Sequence, residues 1–310
     1  MLKLALLVFL SAVTPVYAQV QSGPPLPYHV VPDWAKLPEG WNFGEVAAVD
    51  VDKADNVWVY NRGPHPVMQF DKSGKFLRAW PEPPAKRSHG IRVDGDGNIW
   101  TVDVDGHRVI KWTPDGRILM VIGAAGGSAG DNNSLYAFNL PATLTFAPNG
   151  DFFVADGYGN SRIVRYNKQG EFVLKWGSKG SGDGEFDIAH DVALDGQGRV
   201  YVADRNNSRV QIFDQHGKFL GKWTDLGQPE GLYYVKSENV LYMCDGGSGK
   251  DNETHRIIKV NLDGKVLGVL SSFGKAPGRL DVPHYLALDS TGAIYVAEVR
   301  NWRLQKFVKD

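Results

Sequence analysis

Three of the chain's eight histidines stand in one register. His89, His190 and His284 each lie fourteen residues ahead of an acidic residue that closes a strand-like run, namely Asp103, Asp204 and Glu298. The same count back from Asn61, Asp156 and Asp245 reaches Ala47, Ala142 and Gly231. Three imidazoles converging with a fourth position open form the donor set of a catalytic zinc site rather than of a closed structural one. A single histidine of this kind would be read as a core residue bonded to water or backbone. Three in one register, with small residues alternating, predict a Zn2+ site on His89, His190 and His284. His29, His65, His107, His216 and His255 fall outside the register and are read as surface or supporting residues.

Residues just past the same anchors add acid–base and electrostatic chemistry. Arg62 follows Asn61, Arg205 follows Asp204, and Tyr158 stands two past Asp156. A pair of guanidinium groups can hold an anionic substrate group and stabilise developing negative charge. A tyrosine beside a metal cation and an arginine can have its pKa lowered from the usual value of about 10 and serve as a general base. Each also has an ordinary reading, a solvated loop arginine or a packed loop tyrosine. Their common position around one predicted metal site favours the functional one.

Positioning these groups requires a repeated fold. The unit is clearest at 190–213, "HDVALDGQGRVYVADRNNSRVQIF": apolar strand, Asp, Gly-containing turn, second apolar strand, Ala-Asp, polar turn, then a third alternating strand. A fourth strand follows turns such as "KSGK", "PDGR" and "QHGK". Gly, Asn and Asp tolerate the positive φ that such hairpins need. The anchors Asn61, Asp103, Asp156, Asp204, Asp245 and Glu298 are spaced 42, 53, 48, 41 and 53 residues apart. Four strands per 40–50 residues predict an all-β, six-bladed propeller. The last unit has three strand-like runs, so the stretch "YHVVPDW" (28–34) is expected to supply its outer strand and close the ring. The predicted domain runs from 26 to 310, with 123–139 and 246–255 as surface excursions. The register position then starts each innermost strand, and equivalent positions in alternate blades lie about 120° apart.

Composition bounds the rest. The opening residues, MLKLALLVFLSAVTPVYA, read as a signal peptide over 1–18, so the protein is expected to be exported, periplasmic or secreted. The net charge is −1 with both signs dispersed and no basic run, which argues against nucleic acid as a partner. No later run approaches a membrane span. Cys244 is the only cysteine, so no intrachain disulfide is available and the residue is read as a small buried hydrophobe.

"SRIVRY", "SRVQIF" and "WRLQKF" resemble the third strand of the NHL-type repeat. "HGIRVDGDGNIWTVD", "DGYGNSRIVRY" and "ADRNNSRVQIF", together with the three histidines, resemble peptidyl-α-hydroxyglycine α-amidating lyase, a six-bladed zinc propeller, over about residues 40 to 308. The resemblance puts zinc on His89, His190 and His284, the catalytic tyrosine on Tyr158, the substrate-carboxylate arginine on Arg62 and a further active-site arginine on Arg205. It implies cleavage of the C–N bond of a small-molecule or peptide substrate ending in α-hydroxyglycine, giving an amide and glyoxylate. It also implies a structural Ca2+ on the backbone carbonyls of Val49 and Ile91, but Tyr285 stands where the family's calcium-binding Asp is expected, leaving Asp50 or Asp191 as substitutes. Val282 replaces an active-site Met, and both partners of each of the family's two disulfides are absent. The alternatives are a propeller lyase or hydrolase acting on another small carbinolamide, ureido or lactone substrate, and a non-enzymatic exported binding propeller.

Overall fold

The structure is a computed structural model that describes residues 20–80, 85–247 and 254–310. The expected signal peptide and part of the second expected loop excursion lie outside the described residues. Six four-stranded antiparallel sheets form the blades of a propeller. Their innermost strands are Val46–Val51, Ser88–Val93, Thr143–Phe146, Ala189–Leu194, Pro229–Val235 and Pro283–Leu288. Each packs beside the next, and the sixth packs beside the first. Tyr28–Val31 pairs antiparallel with Arg303–Lys309, so the outer strand of the last sheet comes from the N-terminal side.

One hydrogen bond recurs in all six blades and explains the shared spacing. The anchor side chain accepts the amide of the residue seventeen positions earlier: Gly44 to Asn61, Lys86 to Asp103, Asn139 to Asp156, Asp187 to Asp204, Gln228 to Asp245 and Asp281 to Glu298. Five anchors are buried carboxylates that also pair with an arginine starting the third strand, namely Arg108, Arg162, Arg209, Arg256 and Arg303. A buried carboxylate is tolerated only when its oxygens are filled in this way, and removing one partner of such a pair costs about 3–5 kcal/mol. Blade one uses Asn61 instead, whose amide donates to the carbonyls of His65 and Pro66. A second recurring bond pins the first hairpin: Asp52, Asp94, Asp195 and Asp289 accept from Trp58, Trp100, Tyr201 and Tyr295 six residues on.

The 123–139 excursion is tied down by the fully buried Arg162, which donates to the carbonyls of Asn132, Ser134 and Ala137. Cys244 is a free, buried thiol.

Candidate metal centre

Alternation along a strand does not by itself aim the three histidines at the channel; β-bulges do. In blade four Ala189 pairs with Asp204 and Asp191 with Ala203, leaving His190 as the extra residue. His284 is extra in the same way between Pro283 and Tyr285. In blade two the break falls between Ser88 and Ile91, which frees His89 and Gly90. A bulge bends the strand and re-aims the side chain at that point. The result is a nearly equilateral triangle, with imidazole centroids 5.0, 4.8 and 4.8 Å apart. One ring nitrogen from each lies within 4.8 Å of the others, and all three rings are buried.

The odd-numbered blades set which nitrogen is free. Nδ1 of His89 donates to the Ala142 carbonyl at 2.7 Å, that of His190 to Glu230 at 2.9 Å, and that of His284 to Ala47 at 2.6 Å. With the proton on Nδ1, the Nε2 lone pair of each ring is available to a cation, the usual arrangement behind metal-bound imidazoles. Burial drives all three pKa values down, well below the ordinary range for His89 and His190 and to about 3 for His284. The donor set therefore fits a metal ion of the kind imidazole prefers. The small residues of the odd blades serve mainly as backbone, since a Cβ on Gly231 would meet the His284 carbonyl oxygen at 2.7 Å.

Tyr158 closes over this triangle. Its hydroxyl lies 3.0 Å from Nε2 of His89, 2.9 Å from Nε2 of His190 and 3.2 Å from Nη1 of Arg205. The preceding Gly157 has no room for a Cβ, which would sit 2.1 Å from the Ala189 carbonyl oxygen, so the loop presses onto blade four. The chain's own charges do not produce the expected lowering of the tyrosine pKa. Burial raises it, and Arg205 works against that rise without overcoming it.

Arg205 opens a short 3-10 turn after its strand and stacks its guanidinium 5.1 Å from the Tyr158 ring centroid. Burial opposes its charge, but Glu230 and Tyr158 raise its pKa. Arg62 is brought to the same mouth yet is not free: Nη1 pairs with Glu45 at 2.5 Å and Nε donates to the Ser88 carbonyl at 3.1 Å. Its charge still reaches His89, His284 and Tyr158.

Sequence reasoning missed three charged groups here. Glu230 lies 3.2 Å from Nε2 of His190 and 3.5 Å from Arg205, and burial raises its carboxyl to about 7. Its signal was available: the equivalent positions are Val46, Ser88, Pro141, Ala189 and Pro283, none of them charged. Glu45 and Arg87 are the others, the first on Arg62 and the second paired with Asp105. Two histidines outside the register prove to be supports. His107 and His255 accept the amides of Leu140 and Val282 through Nδ1 at 3.0 Å. Leu140, Ile188 and Val282 share a position sixteen before their anchors and hold φ values of 55, 63 and 51°. Left-handed backbone costs such residues roughly 1–2 kcal/mol each. In return the carbonyls of Leu140 and Ile188 accept the amides of Tyr158 and Arg205.

Below the histidines the channel is occupied by Tyr285, and a cavity of about 230 Å³ lined by Asp50, Arg92, Leu232 and Tyr233 opens within the ring of inner strands. Tyr285 is fully buried, with its ring 4.8 Å from that of His284 and its hydroxyl donating to the His190 carbonyl at 3.1 Å. The calcium implied by the family resemblance does not fit these residues. The Ile91 carbonyl accepts Nη1 of Arg92 at 3.1 Å, both oxygens of Asp191 accept Nη2 of Arg92, and Asp50 accepts the amides of Val51 and Val93. Val49 is a buried strand residue opposite Val59. Among the described residues, no helix is long and apolar enough to cross a membrane.

An NHL repeat model matches residues 138–166 and 186–213, in blades three and four. NHL repeat-containing protein 3 of Homo sapiens is 32% identical over 312 residues, covering 91% of this chain and 84% of that protein. Peptidyl-alpha-hydroxyglycine alpha-amidating lyase 1 of Drosophila melanogaster is 32% identical over 174 residues, 47% of this chain and 31% of that one. Peptidyl-glycine alpha-amidating monooxygenase B of Xenopus laevis is 28% identical over 299 residues, 85% of this chain and 34% of that one. The chain thus matches about a third of the length of the amidating enzymes. A solved streptogramin B lyase superposes with a TM-score of 0.63 at 14% identity, covering 91% of this chain and 98% of that one, a likeness of fold.

Proposed function

The chain belongs to the NHL-repeat proteins that include the peptidyl-α-hydroxyglycine α-amidating lyases, and from that premise we propose that it is an exported zinc lyase releasing glyoxylate from an N-acyl or peptidyl α-hydroxyglycine. The observation that carries this reading is the Tyr158 hydroxyl within 3.0 Å of two histidine Nε2 atoms and 3.2 Å from Arg205. His89, His190 and His284 would hold the ion, which when bound supplies Lewis acidity toward the substrate's α-hydroxyl oxygen.

The remaining work falls to side chains. Arg205 and Arg62 orient the substrate carboxylate by charge-assisted bonds, Arg62 exchanging part of its pairing with Glu45. Tyr158, as phenolate, takes the proton of the α-hydroxyl. The C–N bond then breaks: its electron pair goes to nitrogen, which takes the proton back from Tyr158 to give the free amide, while the oxygen becomes the aldehyde of glyoxylate. No electrons are exchanged with a cofactor. Burial disfavours the phenolate, so Arg205 and the ion must together provide the opposing charge.

The test is zinc content measured alongside glyoxylate release from α-hydroxyhippurate. Tyr158→Phe should keep its metal and lose at least ~100-fold in kcat. Full activity in that variant would remove Tyr158 from the reaction, and absence of bound metal in the wild type would remove the zinc reading. Export predicts that the protein recovered outside the cytoplasm begins after Ala18, which intact-mass measurement reads directly.

A further inference from the structure

We infer that Arg92 is a tethered cation on the channel axis that positions His190 and His284 and takes the place of a structural calcium ion. The part that concerns metal geometry rests on the reading that the three histidines bind a metal.

Three residues form a second tier directly beneath the first, and they come from the same three blades. Arg92 lies three past His89, Asp191 follows His190, and Tyr285 follows His284. Nη2 of Arg92 donates to both Asp191 oxygens, at 3.2 and 3.1 Å, while Nη1 donates to the Ile91 carbonyl at 3.1 Å. The guanidinium carbon also lies 5.2 Å from the Tyr285 ring centroid. All three side chains are buried. Arg92 is further held charged by Asp50 against the burial that opposes its charge.

The arrangement suits a guanidinium and not a hard divalent ion. Calcium requires about six to eight oxygen donors at 2.3–2.6 Å. Here the Asp191 carboxylate already accepts the amides of Val192 and Leu232 at 2.8 and 2.7 Å as well as Arg92. Tyr285 contributes a ring face and a donor hydroxyl where a carboxylate ligand would be needed. A planar fork meets a carboxylate and an aromatic face at once, which a point charge does not.

The tier is coupled to the site above it. The Tyr285 ring lies at 23° to the His190 imidazole with centroids 5.8 Å apart, and its hydroxyl holds the His190 carbonyl. Moving Arg92 therefore moves the peptide units that carry His190 and His284. Arg92 acts as a positioning residue for the metal ligands, much as outer partners orient ligating side chains elsewhere.

Two measurements test this. Thermal melting of the metal-free wild type with and without millimolar CaCl2 should give the same midpoint; a rise of several degrees with calcium overturns the replacement. Co2+ titration, read by visible absorption, should show Arg92→Met binding about 10–100-fold more weakly than wild type with an altered spectrum, and Arg92→Lys in between. Wild-type affinity and spectrum in Arg92→Met would overturn the positioning role. Should that variant not fold, Arg92→Lys decides the point, since it keeps the charge and loses the fork. A wild type that binds no Co2+ would sink the metal-site reading and the positioning role with it, while the calcium melt would still decide the replacement.

Discussion

At the position fourteen before each anchor, blades two, four and six meet the channel with side chains; blades one, three and five meet it with backbone. The bulged residue is His89, His190 or His284 in the even set. In the odd set the corresponding stretch offers the carbonyls of Ala47, Ala142 and Glu230 to the histidines' Nδ1 atoms. Any residue has a carbonyl, so the odd blades need little chemical identity there. What they need is closeness, and Gly231 shows it most sharply. The even blades also build the second tier of Arg92, Asp191 and Tyr285. At this position, alternation therefore divides the histidine tier into side chains that could hold a metal ion and a backbone shell that holds their Nδ1 atoms.

The contrast can be broken most strongly at a ligand. His190→Ala should abolish metal loading, a larger loss than the ~100-fold that losing a supporting partner costs. Ala142→Gly, its odd-blade counterpart, keeps the carbonyl and should load metal as the wild type does; metal analysis of the two side by side checks both. Equal loading would dissolve the division between the two sets.

A moderate effect is expected where an odd blade is denied closeness. Gly231→Ala places a methyl carbon 2.7 Å from the His284 carbonyl oxygen, and backbone must shift to admit it. A loss of about 1–3 kcal/mol should appear in denaturant unfolding. A neutral result would mean that smallness there is incidental.

Glu230 is the odd-blade residue that offers His190 both its carbonyl and its carboxylate. Burial raises the Glu230 carboxyl from 4.5 to about 7. The stability it contributes as a neutral acid is complete below the unfolded value of 4.5 and is lost as the pH rises through about 7. In metal-free protein, Glu230→Gln, which does not titrate, should therefore gain on the wild type between those limits, by up to about 3 kcal/mol. Urea unfolding at the two pH values measures it. A difference that stays constant with pH would assign Glu230 no titration in that window.

Much of the site was legible in the chain because it obeys the repeat. Counting from the anchors located the three histidines, and the same frame put Tyr158, Arg62 and Arg205 near the mouth. Arg62 is engaged by Glu45, which stands sixteen before its anchor Asn61, where blades three, four and six carry the apolar Leu140, Ile188 and Val282. Tyr285 read as a misfit until Arg92 gave its ring a partner. Glu230 was visible as an uncommon charge in its column but carried no sign of which histidine it faced.

The sequence alone determined the number of blades and the histidine register. Both follow from bonds closed within one unit, above all the anchor that accepts an amide seventeen residues back in every blade. Only the tertiary structure decided which atoms meet across the channel. The Nδ1 acceptors of His89 and His284 lie 53 and 237 residues away, and Arg92 reaches Asp191 across 99. Those pairings exist only when the ring is closed and the bulges have turned the strands inward, and no local pattern in the chain encodes them.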